Sequence, residues 1–168
     1  SGSAVDIAAI EPYADAIILA WYPGEQGGNA LADIVFGKVS PSGRLPVTFY
    51  ESLNDLPAYE NYAASGRTYR YFKGNVQFPF GFGLSYTTFK YGSTEINSKS
   101  LKASQLSSAL NKKAADVLTA TAAVTNTGST AGEEVVQLYI RLEGTSTAQP
   151  VRALKGFQRI KLAPGETR

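Results

Sequence analysis

Cysteine and histidine are both absent from the 168-residue sequence. The absence of cysteine excludes disulfides, a thiolate nucleophile and cysteine-ligated metals. The absence of histidine excludes a Ser-His-Asp triad and imidazole metal ligands, and it removes the side chain that most often transfers protons at neutral pH. Acid–base chemistry would therefore fall to the 14 carboxylates, or to a lysine or tyrosine with a shifted pKa. We predict no metal site and no cofactor.

Charge of one sign and long apolar runs are also scarce. The 16 basic residues are dispersed along the chain, and with 14 acidic residues they leave a net charge of only +2. No nucleic-acid partner is therefore predicted. No apolar run approaches the roughly 20 residues that cross a bilayer, so no membrane span is predicted. The hydrophobic content of 43 % is sufficient for a buried core.

The first 50 residues have the pattern of an α/β segment. Residues 4–10 predict a short helical turn, and the apolar residues 16–20 predict a strand that is covered on both faces. Apolar residues at helical spacing predict a helix over residues 28–36, and residues 45–49 predict a second strand. The helical side chains expected to face inward are Leu31, Ile34 and Val35.

The remainder of the chain divides into a connection and an all-β segment. Of the 19 aromatic residues, 11 lie between Tyr59 and Tyr91, which indicates that residues 51–85 form an ordered connection packed against something large. Apolar and other residues alternate over 118–124 and again over 136–142, as in two half-buried strands of a sandwich. The predicted fold class is therefore α/β plus all-β, with an α/β part in residues 1–50 and a β-sandwich in residues 86–168.

The stretch "WYPGEQGG", residues 21–28, lies between the first predicted strand and the helix, where phosphate-binding loops occur. It contains no Lys, Ser or Thr and fits neither the Walker pattern nor G-x-G-x-x-G. Glu25 would also place a negative charge near the anion position, whereas the same charge stabilises a helix N-terminus. We interpret the glycines as a tight turn and Glu25 as a helix-start residue, and we reject a nucleotide site.

Three stretches, in order along the chain, carry a family resemblance. "AWYPGEQGGNALADIVFGKVSPSGRLPVTF", residues 20–49, resembles the second domain of glycoside hydrolase family 3 enzymes. "GRTYRYFKGNVQFPFGFGLSYTTFKY", residues 66–91, is similar to the passage that leads into the family's C-terminal domain. "VTNTGSTAGEEVVQLYI" and "PVRALKGFQRIKLAPGET" resemble its fibronectin type III-like domain. The implied fold is a partial α/β sandwich domain followed by an incomplete fibronectin III-like β-sandwich.

The resemblance implies a retaining exo-β-glycosidase that removes single sugars from the non-reducing ends of β-linked oligosaccharides. In the family the nucleophile is an aspartate on an N-terminal barrel, and the acid/base is a glutamate upstream of the stretch that opens this chain. No catalytic residue is therefore expected here, and we expect the chain to be an inactive interior piece whose partner is the barrel of the same protein. The resemblance also implies a periplasmic or secreted location.

Two aromatic residues are candidates for substrate binding. Trp21 and Tyr22 end the first predicted strand at the side where ligands of α/β sheets gather. They could stack on a sugar, or they could pack beneath a neighbouring domain, which is the interpretation we favour. Asp33, like Glu25, is interpreted as a helix-surface or capping residue.

A second candidate is a cluster of arginine and aromatic residues, a combination that is enriched in interfaces. The cluster comprises Arg67, Tyr69, Arg70 and Tyr71. We favour a role in joining domains over contact with substrate. Because so many aromatic residues lie between residues 59 and 91, we also expect Phe78, Phe80, Phe82 and Tyr86 to be largely buried in the complete enzyme.

The activity has two interpretations. The spacing of "DLPAYENYAASGRTYRYF" is closer to the β-xylosidases of the family than to its β-glucosidases. The alternative is a non-catalytic binding or adhesion protein that keeps a fibronectin-like module. The first 50 residues argue against this alternative, because a free-standing adhesion module does not need an α/β segment.

Overall fold

A computed structural model describes residues 2–98, 100, 102, 104, 118–145 and 148–168. Its helices are short: α1 spans Gly27–Val35 and α2 spans Thr68–Tyr71, with 3-10 turns at Glu11–Tyr13 and Leu53–Asp55. The strands are β1 Phe49–Tyr50, β2 Val76–Phe78, β3 Phe89–Tyr91, β4 Glu95–Ile96, β5 Ala120–Thr121, β6 Val124–Asn126, β7 Gly132–Ile140 and β8 Ala153–Leu162. They form the two-stranded sheets β1–β2, β3–β6, β4–β5 and β7–β8.

The chain forms two compact units, which are described separately. The first comprises Ser1–Tyr86 and Gly132–Lys161, and the second comprises Thr87–Ala131 and Leu162–Arg168. The first unit contains α1 and most of the β7–β8 hairpin, whereas the second contains the four strands β3, β4, β5 and β6. The mixture of helix and strand in the first unit agrees with the predicted α/β plus all-β class.

Helix α1 confirms the helix predicted from the spacing of the apolar residues. It ends where Gly37 adopts a φ of 71°, and the carbonyl of Asp33 accepts the N–H groups of Lys38 and Val39. The prediction that Leu31, Ile34 and Val35 face inward is wrong for two of them. Leu31 and Val35 are exposed, and only Ile34 is half-buried. The periodicity of a sequence identifies the residues that share one face of a helix. It does not show whether that face is covered, and no described part of the chain covers most of the apolar face of α1.

The strand predicted over residues 16–20 is wrong in the structure. These residues belong to none of the four sheets, and Ile17 and Ile18 are exposed. An apolar run forms a strand only when a neighbouring strand completes its hydrogen-bond ladder. Among the described residues, no strand lies beside this run.

The other two predictions for the first 50 residues are confirmed only in part. The second strand is reduced to β1, although Leu45 still exchanges backbone hydrogen bonds of 2.8 Å with Phe82 and Gly81. The predicted turn begins late, where the carbonyl of Ile7 accepts the N–H groups of Ile10 (3.0 Å) and Glu11 (2.9 Å), and it continues into the 3-10 turn Glu11–Tyr13. Pro12 is accommodated there because the first helical positions have no intrahelical partner for an N–H group.

Strand β7 confirms the predicted strand, but only the start of the predicted face is buried. Gly132 and Glu134 are buried in phase with the apolar residues, whereas the second half of the strand is covered on the opposite face. Leu138 and Ile140 are exposed, whereas Gln137 and Tyr139 are half-buried. The Gln137 amide donates to the carbonyl of Gly81, and the Tyr139 ring packs on the aromatic connection. Polar and aromatic contacts thus decide which face is covered in the second half of β7.

The core of the second unit is built around the fully buried side chain of Asn126. Two apolar side chains are buried as well, Val124 at the start of β6 and Leu162 at the end of β8. The Asn126 amide nitrogen donates to the carbonyls of Thr130 (2.9 Å) and Leu162 (3.1 Å), while its oxygen accepts from the Thr87 hydroxyl (2.6 Å) and the Gly128 N–H (3.1 Å). The side chain therefore uses both its donors and its acceptor to hold the loop after β6 against β8.

The substitution Asn126→Ala should destabilise the chain by about 2–4 kcal/mol, because it leaves several buried polar groups without partners. Urea unfolding curves of the 168-residue chain measure this change. Asn29→Ala is the matched control, because Asn29 is exposed on α1 and contacts only Gln26 there. Equal unfolding midpoints for the two variants would show that Asn126 does not organise this unit.

Candidate functional site

Trp21 and Tyr22 lie side by side in the turn that precedes α1. Trp21 is half-buried and has a φ of 50°, a left-handed conformation that costs a bulky residue roughly 1–2 kcal/mol. Tyr22 is exposed, and its ring covers Gly2 so closely that a Cβ at that glycine would overlap the ring. Backbone strain of this kind concentrates at ligand sites and switch regions. This turn is therefore the first candidate site.

The arginine–aromatic cluster forms the second candidate site, and the structure brings it against the β7–β8 hairpin. Tyr69 stacks on Phe80 with ring centres 4.2 Å apart and meets Tyr139 edge to face at 5.9 Å. The guanidinium of Arg152 lies 5.0 Å from the centre of the Tyr139 ring. Burial raises the pKa of Tyr139, and the nearby Arg152 partly opposes this change. These contacts all lie within the first unit, and the role of the cluster in joining domains stays a prediction.

Backbone hydrogen bonds extend the same contact. The N–H of Val151 donates to the carbonyl of Arg70 at 2.6 Å, and the N–H of Leu154 donates to the Tyr69 hydroxyl at 3.3 Å. The residues around this contact enclose an open pocket of about 170 Å³, lined by Thr48, Thr68, Tyr69, Phe72, Gly74, Val76, Pro79, Phe80, Val151 and Arg152. The lining offers aromatic and hydroxyl groups but no carboxylate for acid–base chemistry.

A buried ion pair, which the sequence analysis did not identify, also holds the hairpin. Arg44 contacts Glu134 at 2.5 Å, and their side chains are only 11 % and 12 % exposed. Next to it, Glu133 accepts hydrogen bonds from Ser42 (3.4 Å) and Arg159 (3.2 Å). One signal was present in the sequence: Glu134 occurs in phase with the apolar residues of β7, and a carboxylate in that register requires a cationic partner.

Several carboxylates of the described residues form structural contacts. Glu133 and Glu134 are each paired with an arginine, and Asp33 forms an exposed ion pair with Lys38 at 3.2 Å. Within the same residues, no group of His, Cys, Asp and Glu could hold a metal ion. No helix among them is long and apolar enough to span a bilayer.

Comparison with known proteins identifies the family to which the chain belongs. Residues 1–86 match the glycosyl hydrolase family 3 C-terminal domain, and residues 134–168 match a fibronectin type III-like domain. The chain belongs to glycosyl hydrolase family 3. The two matches confirm the predicted combination of an α/β segment with a fibronectin-like segment. Arg44 and Glu134 therefore join parts of the chain that match two different domains of the family.

Individual relatives cover almost the whole chain. A xylan 1,4-beta-xylosidase of Xylanibacter ruminicola is 42 % identical over 99 % of this chain and 18 % of its own length. A periplasmic beta-glucosidase of Salmonella typhimurium is 38 % identical over 91 % of this chain and 20 % of its own length. The structure of a beta-D-glucoside glucohydrolase from Trichoderma reesei matches with a TM-score of 0.80 at 31 % identity, over 98 % of this chain and 26 % of that one. The family 3 chain thus spans about a fifth of these curated relatives.

The substitution Glu134→Gln should destabilise the chain by about 3 kcal/mol, because it leaves the Arg44 charge buried without a counter-charge. Lys38→Gln is the matched control: it breaks a pair whose side chains are 72 % and 42 % exposed, which should cost less than about 1 kcal/mol. Both values come from urea unfolding curves at neutral pH. A smaller loss for Glu134→Gln than for the control would contradict a stabilising role of the buried pair.

Proposed function

We propose that this chain is part of a retaining exo-β-glycosidase that acts on the non-reducing ends of β-linked oligosaccharides. The observation that carries the proposal is membership of glycosyl hydrolase family 3 together with relatives named as β-xylosidases and β-glucosidases along nearly all of the chain. Retention requires two carboxyl groups about 5–5.5 Å apart. The proposal places both outside this chain, on parts of the protein that precede it.

Within that enzyme we favour β-xylosidase activity over β-glucosidase activity. The motif "DLPAYENYAASGRTYRYF" supports this preference, as does the similarity to the Xylanibacter ruminicola xylosidase. The similarity to β-glucosidases is nearly as strong, so substrate comparison rather than identity must decide between the two sugars.

The proposed role of this chain is to support the catalytic parts and to contribute to one wall of the site. We assign residues 1–50 to the end of the α/β sandwich domain, residues 51–85 to an interdomain connection, and residues 86–168 to the fibronectin type III-like domain. Because Trp21 is strained and Tyr22 is exposed, we propose that these two residues contact the sugar rather than pack beneath a neighbouring domain. The proposed partner is an N-terminal barrel of the same protein. A periplasmic or secreted location is proposed by analogy with the periplasmic relative.

The isolated chain should hydrolyse neither aryl β-xylosides nor aryl β-glucosides, because the proposal places both catalytic carboxylates outside it. The complete protein should cleave aryl β-xyloside faster than aryl β-glucoside and release the sugar with retained configuration. Both preparations are assayed on both substrates, and NMR follows the anomer of the product.

Turnover by the isolated chain that disappears in the Glu25→Gln or Asp33→Asn variant would contradict the assignment of these residues as structural. Release of the inverted anomer by the complete protein would contradict the proposed mechanism. A complete protein that binds β-linked sugars without cleaving either substrate would favour the alternative of a non-catalytic binding protein.

A further inference from the structure

Residues 57–67 form a loop, called here the Arg67 loop, whose shape is fixed by one side chain. The Nη2 atom of Arg67 donates to three carbonyls of the loop, those of Pro57 (3.3 Å), Ala58 (3.1 Å) and Asn61 (2.7 Å). A guanidinium that holds several carbonyls restricts the loop without any hydrophobic core. The loop is therefore ordered by its own arginine.

Local hydrogen bonds strengthen this restriction. The N–H of Asn61 donates to the Ala58 carbonyl at 2.9 Å, which closes a turn, and the Asn61 side chain accepts from the N–H of Ala63 at 3.0 Å. At the end of the loop, the N–H of Thr68 donates to the Tyr50 hydroxyl at 2.6 Å, which ties the loop to strand β1. Both the interior and the exit of the Arg67 loop are thus fixed.

The fixed loop carries three side chains that have no partner among the described residues. Tyr59 and Tyr62 are 85 % and 86 % exposed, and Glu60 between them is also exposed. Within the described residues, none of the three makes a hydrogen bond, an ion pair or a ring contact. Large rings held in solvent on an ordered loop lose little conformational freedom when they bind a ligand, which favours affinity.

The chemistry of these side chains selects the class of ligand. A carboxylate beside two rings repels nucleic acid and anionic membranes, and burying it unpaired in a protein interface carries a desolvation cost. A polyhydroxylated ligand suits the three groups, because its hydroxyls donate to the carboxylate while the rings cover its apolar faces. We infer that Tyr59, Glu60 and Tyr62 form a carbohydrate-binding site, separate from the turn at Trp21 and Tyr22. The choice of a β-linked pyranose chain as its ligand rests on the function proposed above.

Affinity electrophoresis of the complete protein tests this inference. Native gels contain either arabinoxylan or mixed-linkage β-glucan, which distinguishes a xylose chain from a glucose chain. Polymers have few chain ends, so retardation reports binding along the chain rather than at an exo-acting site. Tyr59→Ala and Tyr62→Ala should each weaken retention by about fivefold, and the isosteric Glu60→Gln should weaken it as well. Tyr13→Ala, which removes an equally exposed tyrosine elsewhere, should leave retention unchanged.

Retention that is unaffected by all three substitutions, or no retention of the unmodified protein in either gel, would overturn the inference. A fall in melting temperature of Tyr59→Ala and Tyr62→Ala at unchanged retention would also overturn it, because the rings would then be covered by protein. Hydrolysis of aryl β-xyloside by the unmodified protein is measured in parallel. Hydrolysis without retention rejects this inference alone, whereas retention without hydrolysis rejects only the proposed activity.

Discussion

The packing of the β7–β8 hairpin on the aromatic connection depends on the pairing of Arg44 with Glu134. A carboxylate on the covered face of a strand is tolerated only when a cation neutralises it, and Arg44 does so from a position 90 residues away in the sequence. Once the hairpin lies in this register, Gln137 reaches the carbonyl of Gly81 and Tyr139 meets Tyr69. Glu134 lies on one face of β7 and Gln137 and Tyr139 lie on the other, and a register shift of one residue would move each of them away from its partner.

The sequence was most informative where a local rule decides the structure. Helix α1 follows from the spacing of its apolar residues and from Gly37, and strand β7 follows from its alternation. Where contact with another part of the chain decides whether a strand forms or which face is buried, the sequence pattern did not predict the structure. Residues 16–20 have the composition of a strand but no neighbouring strand among the described residues, and Leu138 and Ile140 of β7 are exposed although the alternation predicts that they are buried.

The candidate sites also divide into features that a sequence motif indicates and features that only the folded chain creates. The resemblance to family 3 correctly indicated the α/β and fibronectin-like segments, because three motifs in order specify a family better than any one pattern does. The role of the arginine–aromatic cluster in joining domains stays a prediction from composition. The buried pair of Arg44 with Glu134 and the three carbonyls held by Arg67 could not be predicted, because each depends on contacts that only the folded backbone creates.

In the proposed glycosidase, these contacts make this family 3 chain a rigid support on which aromatic side chains are displayed. The central claim is that the β7–β8 hairpin and the aromatic connection form one cooperative unit. Native-state hydrogen exchange tests this claim most directly. The N–H of Val151, bonded to Arg70, and the N–H of Gly81, bonded to Leu45, should exchange with the same protection and the same dependence on denaturant. Rapid exchange of Val151 while Gly81 remains protected would contradict the claim, because the hairpin would then open independently of the connection.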